Sequence, residues 1–374
     1  MDGRVPLCGR NEERPWGNST GASQVAAPPA RSAIATFSPG YFALVMATGI
    51  VSLAAHVRGL EYVAAGLFAV NIAAYAVLWL VTLLRLVRYP KDMVIDLTHH
   101  ALGVTFLTKV AATCVLGTQF AVLTPWLEVA AALWLVGIVL WVVLIYTFFA
   151  SVTLREPKPS LAEGINGSWL LVTVATESVA VLGTLVAGVF GREELLLFVA
   201  LAAYLLGAMF YVLFIALILY RWMFFSMTAA QVTPPYWIDM GALAITTLAG
   251  AHLLLAADRW TLLQQLRPFM VGFTLLFWAM GTWWIPLLII VGAWRHLIEH
   301  VPIRYDPQYW SLVFPLGMYT VATHLCATVT GLTFLDIVPA VFVWVALVAW
   351  VITFLGLLHT VVGFLRPASM APAD

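Results

Sequence analysis

The chain has 374 residues, of which 63% are hydrophobic and only 10% charged, with a mean hydropathy of +0.97 and a formal net charge of zero. A water-soluble domain is near half apolar and a quarter charged, so this composition excludes one and specifies an integral membrane protein. Neutral charge gives no footprint for a nucleic-acid partner, and Cys8, Cys114 and Cys326 show no paired spacing of a disulfide framework or thiolate metal site.

Met1–Thr36 is rich in Ala, Pro, Gly, Ser and Arg and lacks an apolar run, which predicts a disordered tail rather than a signal peptide. From Phe37 to Arg366 the sequence reads as one membrane domain, followed by a short tail, Pro367–Asp374. The hydrophobic runs are Phe37–Val57, Tyr62–Leu86, Thr98–Thr118, Pro125–Ser151, Asn166–Val189, Leu195–Phe225, Trp237–Ala257, Leu266–Trp294, Tyr309–Gly331 and Ile337–Leu365. Each is near the ~20 residues that cross a bilayer as a helix, and the alternating short strands of a membrane barrel are absent, so the fold class is all-α. Short charged connections with Pro, such as Arg88-Tyr89-Pro90-Lys91-Asp92, make consecutive spans hairpins.

Lys and Arg are distributed unevenly. Arg85, Arg88, Lys91, Arg155, Lys158, Arg221, Arg295, Arg304 and Arg366 join the basic residues of the N-terminal tail on one side, while Arg58, Arg192, Arg259 and Arg267 lie on the other. The bias of about three to one predicts that both termini face the cytoplasm, as for a protein of the inner (plasma) membrane.

Odd and even spans differ. The odd ones carry small and hydroxyl residues on one stripe, including Thr48 and Ser52 in the first, Thr105, Lys109 and Thr113 in the third, Thr173 and Glu177 in the fifth, Thr246 in the seventh, and Thr320 and His324 in the ninth. The even spans present Trp and large aliphatic residues around most of their circumference. An aromatic near the start, then small residues and threonines, recurs every 65–75 residues or so, about one helical hairpin. This predicts five inner helices around a central pore and five outer helices against lipid, although small residues also serve simply to let membrane helices pack closely.

Two charges stand inside the spans. A carboxylate at mid-membrane is costly unless it is paired, protonated or facing water, so Glu177 marks either a polar pathway or a buried pair. Lys109 is its candidate partner, and the alternative is that the ammonium meets a substrate directly. Pro39 and Pro315 are candidate helix kinks, where freed backbone N–H groups and half-helix dipoles could face an anion; Pro286 falls on an outer helix. His56, His252 and His324 raise a membrane haem or metal site, but their depths and spacing form no ligand set, so no cofactor, metal or catalytic constellation is expected. A membrane sensor without transport activity is a further alternative.

Three segments carry a resemblance. Phe37-Ser38-Pro39-Gly40-Tyr41-Phe42 with the following Ala43–Ser52, Asn166-Gly167-Ser168-Trp169, and Tyr309–Tyr319 with its Phe314-Pro315 pair resemble the tellurite-resistance/dicarboxylate transporter family. That family includes plant slow anion channels and fungal malate permeases. The resemblance spans Phe37 to Leu365. It implies ten helices as five hairpins around a pore, a homotrimer, and transport of anions, with C4-dicarboxylates such as malate the leading substrate and chloride or nitrate the alternative. It also implies that the aromatic of the Phe-Pro pair, Phe314, closes the pore as a gate, whereas composition alone would make it a packing residue.

Overall fold

The computed structural model describes residues 33–365; the expected tail Met1–Thr36 and the C-terminal segment after residue 365 lie largely outside the described residues. Among the described residues ten helices are long and apolar enough to cross a membrane: α1 (Pro39–Val57), α2 (Glu61–Arg88), α3 (Gly103–Leu123), α4 (Leu127–Leu154), α5 (Gly167–Phe190), α6 (Glu193–Phe224), α7 (Pro234–Leu255), α8 (Thr261–Ile298), α9 (Pro307–Thr330) and α10 (Thr333–Gly363). No strand occurs among the described residues. The third span starts five residues later than hydropathy predicts, because Thr98–Leu102 forms a turn after the short helix Pro90–Leu97.

The odd helices are the inner ones. Between 72 and 94% of each odd span is buried, against 22 to 50% of each even span, which is the division that small residues against bulky ones foretold. Around the axis the inner helices pack in the order α1, α3, α5, α7, α9 and back to α1, a closed ring of five. Each even helix packs on its own odd partner through a short turn, and at three of these turns Gly59, Gly191 and Gly331 take the left-handed conformation that lets the chain reverse.

Two repeated devices hold the ring, and both use the outer helices. First, each outer helix donates an aromatic hydrogen bond to the inner helix of the next hairpin. Tyr75 of α2 meets Thr113 of α3 at 2.9 Å, Trp141 of α4 meets Thr176 of α5 at 2.9 Å, and Tyr211 of α6 meets the Asp239 carbonyl of α7 at 3.2 Å. Trp278 of α8 meets Thr323 of α9 at 3.0 Å, and Trp350 of α10 closes the circle on Thr48 of α1 at 2.9 Å. In the first of these Tyr75 is the donor, since the Thr113 hydroxyl already donates to the Lys109 carbonyl. A buried bond of this kind contributes about 1 kcal/mol net, and leaving its acceptor bare costs more.

Second, an arginine at the end of an outer helix clasps the chain just before its own inner helix. Arg85 donates to the carbonyls of Ala35 and Phe37 and to Asp96, Arg155 to Thr98, Arg221 to Ile165 at 2.6 Å, and Arg295 to Val232. Phe37, Ile165 and Val232 each directly precede the residue that caps the inner helix. The clasp fixes where four of the five inner helices begin.

Candidate functional site

Every inner helix starts with a tight 3₁₀ turn: Pro39–Phe42, Gly103–Leu107, Gly167–Leu170, Pro234–Trp237 and Pro307–Tyr309. Local chemistry dictates these starts. Ser38, Asn166 and Asp306 accept hydrogen bonds from the backbone N–H two residues on, at 3.2, 2.9 and 2.7 Å, and Pro39, Pro234 and Pro307 sit where a missing N–H costs nothing. The five turns touch one another in sequence as a closed ring. Gly167 allows one of those contacts, since a Cβ there would stand 2.7 Å from the Tyr236 Cα.

The ring encloses a vestibule of about 340 Å3, walled by Gly40, Thr105, Asn166, Thr233, Ser311 and neighbouring residues of all five turns. No residue lining it is charged. Five helix N-termini carry the positive ends of their dipoles to this mouth, where that partial charge favours an anion. Behind them the Arg85, Arg155, Arg221 and Arg295 guanidiniums add positive charge outside the lumen.

Farther along the axis the same helices narrow to a cavity of about 10 Å3, lined by Ile50 and Leu53, Val115 and Thr118, Ser178 and Val181, Ile245 and Leu248, and Met318. This is room for about one water. Ser311 lines the vestibule and Met318 the inner cavity, so Phe314, three residues after one and four before the other, lies on the same face of α9 between them. Its ring is buried.

Several residues expected at the pore are turned away from it. The Thr48 and Thr113 hydroxyls accept from Trp350 and Tyr75 of outer helices, and Ser52 donates to the Ala64 carbonyl of α2 at 2.8 Å. Thr246 and Thr320 bond back to carbonyls of their own helices, Ala242 and Leu316, and Thr173 is buried without a partner. His324 lies at the far end of α9, 3.7 Å from Asp336. Thr105 lines the vestibule. Three of the hydroxyls read as pore lining, Thr48, Ser52 and Thr113, therefore bond to outer helices, and the inner cavity is lined by Ile, Val, Leu and Met with Thr118 and Ser178.

The ion pair between Lys109 and Glu177 is not formed. Lys109 follows the first turn of α3 closely, and its ammonium lies 4.0 Å from the centre of the Phe106 ring and 5.4 Å from that of Phe42, a cation–π cage made by α1 and the first turn of α3. Glu177 is ten residues into α5 and turns toward α6, with no hydrogen-bond partner on either oxygen. The hydropathy runs placed both at mid-span because the third run was set five residues too early. Pro315 does not break α9, which continues as a helix from Trp310 to Thr330, and Pro39 opens a helix rather than kinking one. Pro315 instead packs on Gly241 of α7, where a Cβ would come within 2.6 Å of its ring.

Missed in the sequence were the aromatic donors and the clasping arginines. Their signal is a Trp or Tyr near the middle of every even span and an Arg near the end of most.

Residues 36–358 match the voltage-dependent anion channel family. An uncharacterised transporter of Methanocaldococcus jannaschii is 24% identical over 340 residues, which cover 88% of this chain and 96% of that protein. A sulfite efflux pump of Arthroderma benhamiae is 25% identical over 350 residues, 86% of this chain and 90% of the pump. An uncharacterised membrane protein of Mycobacterium tuberculosis is 40% identical over 144 residues, 38% of this chain and 73% of its own. The family match begins just before the first inner helix and runs into the last outer one, taking in the whole ring, and on that ground the chain belongs to the voltage-dependent anion channel family.

Proposed function

We propose that the protein conducts small singly charged inorganic anions along the axis of the five inner helices, with Phe314 as the gate. The observation that carries this reading is the charge-free lumen: helix N-termini and hydroxyls face the vestibule, and no Lys or Arg lines the path. The idealised cost of drying a unit charge is of order 20 kcal/mol and grows with the square of the charge, so dipoles can support a monoanion where a dianion would need cations in the wall. Malate and other C4-dicarboxylates, favoured from the family resemblance, fit this lumen less well than chloride, nitrate or hydrogensulfite. The fungal relatives named as sulfite efflux pumps support the same size and charge class.

The vestibule faces the cytoplasm of the inner membrane in this reading, because Arg85, Arg88, Lys91, Arg155, Arg221 and Arg295 cluster at that end and Arg58, Arg192, Arg259 and Arg267 at the other. Reconstitution into liposomes tests the substrate class: chloride, nitrate and sulfite fluxes should each exceed malate uptake. Malate transport without monoanion flux would overturn it.

A further inference from the structure

Behind the pore wall, between α5, α6, α7 and α8, lies a second buried polar site that the anion path does not use. Glu177 is fully buried, and neither carboxyl oxygen has a hydrogen-bond partner. The carboxyl rests on α6 at Gly207, where an added Cβ would stand 2.6 Å from Oε1 and 2.8 Å from Cδ. No ion pair reaches it among the described residues.

Its neighbours are polar, uncharged and themselves incompletely bonded. Tyr204 of α6 and Thr274 of α8 are buried with unpartnered hydroxyls, and both crowd Gly250 of α7, where a Cβ would come within 2.8 Å of the Tyr204 oxygen. Thr246 of α7 has its own proton engaged by the Ala242 carbonyl. Tyr204, Gly207 and Tyr211 share one face of α6, and beyond Gly207 the column continues to Asp239, whose carboxyl is also buried and unpartnered. Asp239 differs in sitting in the first turn of α7, where the helix dipole favours negative charge. The titratable groups around Glu177 are Tyr204 of α6 and, near Ser178, Cys114 of α3, while α7, α8 and α4 present Thr246, Gly250, Thr274 and Trp141, none of which titrates.

A carboxylate here would be a charge with no cation beside it, which is costly in a membrane interior, and no group of three or more His, Cys, Asp or Glu that could hold a metal ion occurs among the described residues. We propose that Glu177 is a proton-binding site of this transporter, linked to occupancy of the pore by an anion. The linkage rests on the anion path argued above. Ser178, the next residue, lines the inner cavity, so an anion at that level and a carboxylate at Glu177 are like charges separated by the wall of one helix. A proton taken from water converts the carboxylate to the neutral acid and removes the repulsion; by reciprocity, the anion favours uptake of the proton. No other reactant is needed.

Three measurements test this on the full chain. Infrared difference spectra of the detergent-solubilised protein should show a protonated carboxyl C=O band that Glu177→Gln removes; a band unchanged by the substitution, or absent from wild type, overturns the site. In liposomes, acidification should strengthen chloride or sulfite affinity about 5- to 100-fold in wild type, and Glu177→Gln should hold the acid-like affinity at every pH. Wild-type pH dependence in Glu177→Gln overturns the linkage. If Glu177→Gln does not fold, a pH dye in weakly buffered wild-type protein decides: proton uptake on adding anion supports the linkage, and none refutes it. The infrared band with no anion flux at any pH would overturn the anion path and the linkage with it, while the proton site stands.

Discussion

Replacing Phe314 with Ala removes the aromatic side chain between a vestibule of about 340 Å3 and an inner cavity of about 10 Å3. A Phe→Ala change in a closed core costs about 3–5 kcal/mol, most of it for packing lost on all sides and the hole left behind. In the proposed gate one face of the ring meets the axis, so water from the vestibule would refill the space and the expected loss of stability is below about 3 kcal/mol. Conductance should move the other way. An apolar constriction blocks ions by excluding water, and each ~1.4 kcal/mol taken off the barrier is a tenfold gain, so relief of about 3 kcal/mol raises anion conductance about 100-fold. Planar-bilayer current in chloride, read beside the thermal transition of the same preparation in detergent, measures both quantities. A folded Phe314→Ala protein with wild-type conductance and the full core penalty would make Phe314 a packing residue and refute the gate.

Trp350→Phe deletes the donor that ties α10 to α1 and strands the buried Thr48 hydroxyl, so stability should fall by about 1–3 kcal/mol, with part recovered in the Trp350→Phe, Thr48→Val double mutant; additivity in that cycle would deny the bond. Lys109→Met should leave anion affinity unchanged and cost at most about 2 kcal/mol, because the ammonium meets Phe42 and Phe106 and not the lumen; weakened anion binding in equilibrium titrations would return Lys109 to the pore. His100, outside the spans and tilted against the Trp169 ring at 5.3 Å, is held below its ordinary value of 6.5 by burial and secondarily by His99. The unfolded chain then binds this proton more readily than the folded one, so the contribution is present above pH 6.5 and is lost as pH falls below it; His100→Gln should flatten that acid limb in thermal melts.

Hydropathy alone determined ten spans, because a bilayer requires each crossing segment to be long and apolar and a hairpin requires little more than a short turn. The contrast between Gly/Thr-rich odd helices and Trp-rich even ones likewise set which would be inner, since close backbone approach needs small side chains. Direction around each helix was beyond its reach. Thr48, Thr113 and Thr176 carry the same hydroxyl as a pore-lining threonine, and only the packed ring shows that Trp350, Tyr75 and Trp141 take them from the other side. Lys109 and Glu177 look like a pair wherever two opposite charges share a hydrophobic sequence; a five-residue error in one helix start changes both depth and facing, and the tertiary structure sends one to an aromatic cage and the other to Gly207. The vestibule exists only when five separate helix starts, 64 or more residues apart along the chain, are brought to one level, and four of them are held there by arginine clasps between segments that no local pattern connects.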